Sequence, residues 1–567
     1  ITAIDDDSYE SGFSSEVSAA PAFSGSTIYV DNSGTEPTNP DGSESNAYYT
    51  IQDAIDAEAT ANGKRILVKA GTYTGSGSSS NPVIDLKGKN IIIESDAGPA
   101  TTIIDAGGNR TALSLDHQNG EYSGYSASAT KFIGLTFTNG DDDKSLIVIG
   151  GPNLNESSNS WDITFENCRF TNTDNDYGSN YSVVYIGKSS SIFDGCQFRD
   201  LNIIGNFGNS SNIYAPIKMQ GETNWYYNPI TNQSEQDTTV YRPQFKNCVI
   251  ADNSVVNTAS SGSRTSDDWI FGGGITVLGG AVPYFENTRI DSNTADVGGN
   301  YSSYYYGEAY GGGIYIQGKF ENDPPIKFVN CSISNNVAKG SSAIGGGISS
   351  NSSQVQFINT VITNNLAYAA YSTDNDFVLT LGGGLACHTS AGQNNNENSN
   401  YPSSDPLTLL VNCTVANNKI RYIAASNIQW GGAGINRMYS QDSDYNRDPV
   451  QIMNSIIYHN TVVGEESSIN SWKVNLSQGD SYWGSEESTI GYSFIEHNDV
   501  AQIEGDEIYD YSPAFSDTAN GDFSLSIASL AIGAGTSEFE DVNAPAYDYN
   551  NSSRPGRDGG NPDLGAF

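Results

Sequence analysis

Phe328-Val-Asn-Cys-Ser-Ile-Ser-Asn-Asn and Phe357-Ile-Asn-Thr-Val-Ile-Thr-Asn-Asn are two copies of one repeated phrase. In each copy an apolar residue is followed by a variable residue, Asn, Cys or Thr, and a short apolar run that ends in Asn. Further copies, some of them looser, begin at Phe132, Phe165, Phe193, Phe245, Phe285, Leu410 and Ile452. Repeats of this length predict a solenoid, and short apolar alternation bounded by Asn predicts that its units are strands.

A glycine phrase alternates with the first one. It reads Gly-Gly-Gly-Ile from Gly272, Gly311 and Gly345, Gly-Gly-Gly-Leu from Gly382 and Gly-Ala-Gly-Ile from Gly432. Glycine permits sharp turns and close backbone approach. We therefore interpret the phrase as a coil corner where chains pass closely, not as a phosphate-binding loop.

The charge of the chain is strongly acidic. There are 66 acidic and 26 basic residues, which gives a net charge of −40 and a pI near 4.1. Such a field excludes nucleic acid as a partner and disfavours anionic membranes. No stretch approaches the roughly 18–20 apolar residues that span a bilayer. We expect a secreted or cell-surface monomer whose signal peptide has been removed, although the charge could serve solubility alone.

The chain divides into four parts, which are a polar leader (1–25), an N-terminal cap with the first coils (26–110), a parallel β-helix with long loop insertions (111–505) and a C-terminal capping segment (506–567). The cap contains a predicted helix near 51–61, with Thr50 as N-cap and Ile51, Ala54, Ile55 and Ala59 on its apolar face. In the last part, Phe523, Leu525, Ile527, Leu530 and Ile532 alternate, and we expect them to cover the C-terminal edge.

The repeats are unevenly spaced, by 28 residues from Phe165 to Phe193 and by 53 from Phe357 to Leu410. The longer intervals predict loop insertions, which in repeat proteins gather on the binding face. These insertions fall at about 205–240, 252–272, 294–310, 366–381, 389–407 and 419–431.

Five cysteines share one place in the repeat, three residues after its first apolar position: Cys168, Cys196, Cys248, Cys331 and Cys413. Their spacing lacks the pairs of a zinc site. We predict an interior column of reduced thiols, with Thr288 and Thr360 filling missing positions of the column.

The N-terminal motifs Tyr29-Val-Asp, Thr50-Ile-Gln-Asp-Ala-Ile, Ile66-Leu-Val-Lys-Ala-Gly-Thr-Tyr and Lys89-Asn-Ile-Ile-Ile-Glu-Ser together resemble the opening coils of the pectin-lyase-like right-handed parallel β-helix superfamily. The internal phrases resemble repeats of chlamydial polymorphic outer-membrane proteins. The ending Asn561-Pro-Asp-Leu-Gly-Ala-Phe resembles that of secreted, variably anchored β-helix proteins. The resemblance implies an all-β right-handed parallel β-helix, in a superfamily that contains lyases, hydrolases, epimerases and adhesins.

Strand alternation after each glycine phrase predicts an outward row that includes Lys218, Tyr315 and, two positions further along their strands, Gln317 and His388. Aromatic residues flank this row. Aromatic faces and amide groups suit sugar rings, although tyrosines could also simply decorate the loops of a secreted protein. The predicted substrate-binding residues are Trp225, Tyr226, Trp269, Tyr315, Gln317 and Trp430.

Two cleavage mechanisms can be built from these residues. Hydrolysis of a glycosidic bond needs two carboxyl groups, and Asp268 and Glu308 occupy neighbouring coils. Elimination from a uronate needs a base and a group that stabilises the anion. The candidates for elimination are Lys218, Tyr310, His388 and Arg437, although alternation places Arg437 inside the coil.

Calcium binding is a further hypothesis. Acidic clusters at 141–143, 174–176, 374–376 and 442–444 offer hard oxygen ligands. None has the spacing of an EF-hand, and solvated loop tips are the alternative interpretation.

From these observations we expect a carbohydrate-active protein that cleaves an acidic polysaccharide by elimination or hydrolysis. The alternative is a non-catalytic adhesin or glycan-binding passenger.

Overall fold

The computed structural model describes the greater part of the chain, in segments separated by gaps. The described residues are 27–75, 78–115, 129–141, 143–150, 162–172, 182–205, 207, 212–221, 225–228, 233–236, 240–258, 268–298, 307–317, 324–351, 353–371, 377–388, 408–423, 427–438, 450–464, 474–477, 489–496, 506–554 and 560–567. No helix in these segments is long and apolar enough to cross a membrane.

The chain coils into a parallel β-helix, as the sequence predicts. Each strand pairs in parallel with its counterparts on the neighbouring coils, and the strands carrying the Phe phrase form the first ladder. Its strands are Thr27–Val30, Arg65–Val68, Ile92–Ser95, Lys131–Ile133, Thr164–Glu166, Ile192–Asp194, Gln244–Lys246, Tyr284–Glu286, Ile326–Val329, Val355–Ile358, Thr408–Val411, Val450–Met453 and Thr489–Ile495.

A second ladder follows the first after each Asn-Cys or Asn-Thr turn. Its strands are Gly71–Thr74, Thr102–Asp105, Thr136–Thr138, Arg169–Asn172, Gln197–Gly205, Val249–Ala251, Arg289–Asp291, Ser332–Ser334, Val361–Thr363, Thr414–Ala416, Ile456–Tyr458 and Asp506–Tyr509. The strands that begin at the glycine phrases, with earlier counterparts, form a ten-stranded sheet. Its strands are Leu113–Leu115, Ile147–Ile149, Val184–Gly187, Ile217–Gln220, Ile275–Leu278, Ile314–Gln317, Ile348–Asn351, Leu385–His388, Ile435–Met438 and Leu476–Ser477.

The middle coils contain two more ladders, and most of their strands lie in segments predicted to be loop insertions. One pairs with the end of Gln197–Gly205 and consists of Ser254–Asn257, Thr294–Asp296, Val337–Gly340, Leu366–Ala369, Lys419–Tyr422 and Thr461–Val463. The other is a six-stranded sheet made of Asn212–Tyr214, Asp268–Phe271, Gly307–Tyr310, Ser342–Ile344, Phe377–Leu381 and Asn427–Gly431. Several of the segments predicted to be loop insertions therefore also contain strands of the coil. They extend the coil because their alternating residues, such as Val255 and Ile270, reach the common core.

Within the described segments, three antiparallel hairpins lie outside the coils. They are Trp225–Asn228 with Gln233–Gln236, Phe515–Asp517 with Asp522–Leu525, and Glu538–Phe539 with Val542–Asn543. A 3-10 helix, Thr518–Asn520, lies inside the second hairpin.

Columns of identical side chains fill the interior. The phenylalanines of the first ladder stack face to face, with ring centroids 5.2 Å apart for Phe245 and Phe285 and 4.6 Å apart for Phe285 and Phe328. All six cysteines of the chain are buried and reduced, as predicted for five of them. Burial raises the pKa of Cys331 and Cys413 to about 12. Their environment therefore holds them as neutral thiols.

A column of buried asparagines closes the second turn of each repeat. The side-chain amide of Asn293 donates to Asn336 at 2.9 Å, and Asn336 donates in the same way to Asn365 at 2.9 Å. The column continues through Asn418 and Asn460. Because each amide also donates to a backbone carbonyl, these buried polar groups are satisfied within the column.

The glycine phrases form coil corners, as expected. The first glycine has positive φ, for example +89° at Gly272 and +66° at Gly311. The second lies against the next coil, and a Cβ on Gly312 would stand 2.2 Å from the carbonyl oxygen of Gly346. These corners join the six-stranded sheet to the ten-stranded sheet, and this junction positions the candidate site.

The helix in the N-terminal cap is shorter than predicted. It spans Ile51–Asp56, with the Thr50 side chain accepting a hydrogen bond from the Asp53 amide at 3.0 Å. Ile51, Ala54 and Ile55 are buried, but Ala59 lies beyond the helix and is exposed. The helix ends because Ala57 turns to ψ 138°, and the Thr60 hydroxyl then donates to the Ala54 carbonyl at 2.5 Å.

The C-terminal segment lies along the side of the β-helix and not in the predicted arrangement. Phe523 is buried, but Ile527, Leu530 and Ile532 are 100%, 63% and 47% exposed. Leu525 is partly buried against the cluster that contains Ile456 and Phe494. Further contact with the β-helix comes from Phe539, which packs on Leu409, Val411 and Met453, from Leu564 and Ala566, and from Arg554, which donates to Asn359. The residues that alternate in 523–532 fail to cover an edge because most of that run forms turns rather than a strand.

Arg554 ties this segment together. Its guanidinium donates to the carbonyls of Asp563 at 2.8 Å, Gly565 at 2.9 Å and Ala566 at 3.1 Å. We predict that Arg554→Met lowers the free energy of unfolding by about 1–3 kcal/mol, because buried carbonyls lose their donors. Urea unfolding measures this loss. Leu530→Ser, in the same segment but exposed, should change stability by less than about 0.5 kcal/mol, and equal effects would contradict the role given to Arg554.

Candidate functional site

The outer faces of the six-stranded and ten-stranded sheets meet at an inner angle on the middle coils. Phe271, just before one glycine corner, lies 4.7 Å from the ring of Tyr315, just after the next. The Lys218 ammonium lies 4.0 Å from the centre of the Tyr214 ring. We name this surface the aromatic groove and define it by Tyr185, Tyr214, Lys218, Trp269, Phe271, Glu308, Tyr310 and Tyr315.

Register explains why aromatic rings line up in the groove. Tyr214, Phe271 and Tyr310 are consecutive partners in the six-stranded sheet. Their ring centroids are 5.9 Å and 5.4 Å apart, and the Tyr310 ring is 5.8 Å from Tyr315. Further along the sheet the same angle is filled by aliphatic side chains: Ile344, Leu381 and Ala386. The angle between the two sheets is therefore lined by the aromatic groove on the earlier coils and closed by aliphatic side chains on the later coils.

The side chain of Lys218 has a lowered pKa in this groove. Partial burial lowers the pKa of Lys218 to about 8. Its ammonium lies against the rings of Tyr214 and, at 5.9 Å, Tyr185. Among the lysines that the structure describes, it is the one with a lowered pKa, whereas carboxylate partners raise the pKa of Lys69 and counteract desolvation at Lys339. Lys218 can thus exchange between amine and ammonium near physiological pH.

Glu308 lies two coils further along, held by two donors. Its Oε2 accepts a hydrogen bond from the Trp269 indole at 2.9 Å and from the Tyr310 hydroxyl at 2.6 Å. Trp269 and Glu308 are partners in the strand register, which places the indole directly beside the carboxylate. These bonds fix the orientation of Glu308 within the groove.

The tyrosines of the groove are proton donors. Burial raises the pKa of Tyr310, and the nearby Glu308 carboxylate raises it further. Burial also raises the pKa of Tyr315, although a hydrogen bond with Asn351 opposes the shift. Both hydroxyls therefore stay protonated over the physiological range, and the Tyr310 hydroxyl donates its hydrogen bond to Glu308.

The structure brings together five predicted residues: Lys218, Trp269, Glu308, Tyr310 and Tyr315. Gln317 lies at the outer end of the Tyr315 strand and is partly exposed, as expected for the outward row. Tyr315 also points outward but is buried beneath Phe271 and Tyr310. It therefore supports the groove more than it lines its open surface.

Two predicted catalytic residues lie on the wrong side of the coil. Asp268 pairs in register with Gly307, one residue from Glu308, and alternation turns its side chain inward to Asn257, 3.2 Å away. The proposed pair of Asp268 and Glu308 is therefore not formed. Arg437 is buried opposite Cys387, a residue of the interior core, and does not reach the groove.

Other predicted residues lie where side chains are not described. Trp225 and Tyr226 belong to a hairpin strand, His388 ends a strand of the ten-stranded sheet and Trp430 lies in the six-stranded sheet, but their side chains are outside the described part. The acidic clusters at 174–176, 374–376 and 442–444 are also outside it. Asp141 forms an ion pair with Lys144 at 2.7 Å, and the described residues contain no group of three metal-ligating side chains.

Tyr214 and Tyr185 were not selected from the sequence. Tyr214 precedes Ile217 by three residues, close to the offset of Phe271 before Ile275, and this spacing was a usable signal. It was obscured because Ala215-Pro-Ile replaces the glycine phrase at that corner. Tyr185 was detectable only as the partner of Lys218 in the strand register.

No protein-family model matches the chain, and no curated protein has a significantly similar sequence. Solved structures similar to it include the following two. The pectate lyase Pel9A has 15% sequence identity and a TM-score of 0.40, with 96% of this chain and 97% of that chain covered. The A-module of the mannuronan C-5 epimerase AlgE4 from Azotobacter vinelandii has 15% identity and a TM-score of 0.29, with 74% and 100% covered. The strand ladders themselves, and not these similarities, establish the parallel β-helix.

Proposed function

We propose that the protein cleaves an acidic polysaccharide by β-elimination in the aromatic groove, with Lys218 as the base. The observation that carries this proposal is the partly buried amine of Lys218, with a pKa of about 8, on a wall of aromatic rings. A general base works best when its pKa is near the working pH. Ring faces beside it offer the surface on which sugars stack.

The step can be written in full for a uronate unit. The neutral amine of Lys218 removes the proton on C5, next to the carboxylate. The electron pair forms the C4=C5 double bond as the C4–O bond breaks, and the departing oxygen takes a proton from a hydroxyl or from water. Lys218 leaves the step as an ammonium ion and returns its proton to solvent.

Hydrolysis has less support from the described residues. It needs two carboxyl groups roughly 5–10 Å apart across the scissile bond. Glu308 lies in the groove, but Asp268, its predicted partner, faces the interior. Elimination needs one base, which Lys218 would supply, and a group that stabilises the carboxylate-derived anion, a role that a bound cation such as Ca²⁺ would fill.

Binding without cleavage is the second candidate. It is favoured by the ring surfaces of the groove, because on the later coils the same angle is closed by the buried side chains Ile344, Leu381 and Ala386 and contains no acid or base there. An adhesin or glycan-binding passenger would use the rings of the groove for affinity alone. Either function places the protein outside the cell, where such polymers occur, and neither requires an oligomer.

A panel of polysaccharides separates these functions. We expect the purified protein to generate ultraviolet absorbance from unsaturated uronate ends on at least one acidic polymer, together with an equal number of new reducing ends. Parallel assays with added Ca²⁺ and with a chelator test whether a cation assists, since protein and polymer are both negative. Reducing ends without the absorbance would indicate hydrolysis. Binding without either product would indicate the adhesin and contradict the proposal.

A further inference from the structure

We infer that the groove selects an acidic polysaccharide in which charged sugars are interspersed with neutral ones. This inference rests on the proposed function and narrows its substrate class. It follows from the opposite charges that Lys218 and Glu308 present to one ligand, and from the distance between their coils.

The two ends of the aromatic part of the groove favour different sugars. At one end, the Lys218 ammonium on the Tyr214 ring attracts a sugar carboxylate. At the other, the Glu308 carboxylate is fixed by Trp269 and Tyr310. A fixed carboxylate repels a uronate and accepts hydrogen bonds from the hydroxyls of a neutral sugar, which can stack on Trp269.

Lys218 and Glu308 are too far apart to contact the same sugar unit, so a single polymer chain must place different units at the two residues. The Lys218 strand, Ile217–Gln220, pairs with Ile275–Leu278, which pairs with Ile314–Gln317 on the coil of Glu308. Two coil steps of ~4.8 Å place these positions at least about 10 Å apart. Stacked rings of Phe271 and Tyr310 bridge the interval. A chain lying along the groove therefore places separate sugar units at Lys218 and at Glu308.

Polygalacturonate with graded methyl esterification tests this inference, because esterification neutralises units without changing the sugar or the linkage. Binding is measured by calorimetry at pH 6, where Lys218 is protonated and cleavage is slow. We expect the native protein to bind half-esterified chains roughly tenfold more tightly than unesterified chains, the effect of one like-charge contact in a partly buried site. It should bind fully esterified chains less tightly as well, because Lys218 then meets no carboxylate.

Two variants should change, in opposite directions, the degree of esterification at which binding is tightest. Glu308→Gln keeps an oxygen acceptor for Trp269 and Tyr310 and should shift tightest binding to unesterified chains. Lys218→Met should shift it to fully esterified chains. Glu286→Gln removes one carboxylate on the first ladder, away from the groove, and should leave the optimum in place.

The outcomes separate this inference from the function on which it rests. Tightest native binding to unesterified chains, unchanged in Glu308→Gln, would overturn the selection of mixed polymers while cleavage by Lys218 could still stand. An optimum at half esterification that Glu308→Gln does not move would also overturn it. Absence of binding to every chain in the series would overturn this inference, whereas the proposed function falls only if no acidic polymer of the panel is cleaved.

Discussion

Phe285→Ala should lower the free energy of unfolding by about 3–5 kcal/mol, the usual loss for truncating a buried aromatic residue. Phe285 has no exposed surface and stacks between Phe245 and Phe328, so its loss removes ring contacts on both sides. The coils above and below are tied by backbone hydrogen bonds in register and cannot close the space. Denaturant unfolding followed by tryptophan fluorescence measures the change.

A matched variant separates ring stacking from mere apolar content. Phe285→Leu keeps most of the apolar volume and should cost less than half as much as Phe285→Ala. If both variants unfold at the same denaturant concentration as the native protein, the phenylalanine column does not hold the middle coils together. A loss confined to the alanine variant supports the column as the main packing element of this part of the chain.

Lys218→Arg should lower kcat/KM on the cleaved polymer by about 10²–10⁴-fold, the contribution of a general base. Arginine keeps the positive charge but stays protonated at accessible pH, so it can hold a carboxylate and cannot remove a proton. Polymer affinity should therefore fall much less in Lys218→Arg than in Lys218→Met. Lys131→Met, which breaks an ion pair with Glu166 on another face, is the control and should retain activity. Full activity in Lys218→Arg would contradict the base assignment.

Removing Lys218 should also stabilise the fold. Its pKa is lowered to about 8 because burial disfavours the ammonium ion, so the folded state carries a cost while the residue is charged. Lys218→Met should raise the free energy of unfolding by about 1–3 kcal/mol at pH 7. The gain should be largest below pH 8 and shrink as the pH rises, since the native lysine then becomes neutral. A gain in stability with a loss of activity is the expected mark of a functional residue.

The sequence was sufficient to predict the first ladder and the glycine corners. The Phe-X-Asn phrase recurs because its phenylalanines stack on consecutive coils, as Phe165 does on Phe193 and Phe245 on Phe285. The glycines recur because Gly312 contacts backbone atoms of the next coil. It was not sufficient for the two additional ladders. Strands such as Thr294–Asp296 are three residues long and lie beside segments of variable length, so they have no repeating phrase of their own.

The candidate site was predictable only in part. Lys218 and Tyr315 follow from alternation after a corner, because the strand period is two. No local sequence pattern predicts that the two sheets face each other across that corner. Tyr214 was missed for this reason. Asp268 and Glu308 occupy similar places in the sequence, but they stand one position apart along two paired strands, so alternation sends Asp268 inward and Glu308 outward.

The pH dependence of kcat/KM for release of unsaturated products tests the central claim most directly. If the neutral amine of Lys218 is the base, kcat/KM should be low at pH 6, rise tenfold per pH unit and level off above a pKa near 8. Lys218→Met should lack this rise in its residual rate. A rate that is highest near pH 4–5 and falls as carboxyl groups ionise would contradict the account, because it would assign the chemistry to a protonated acid.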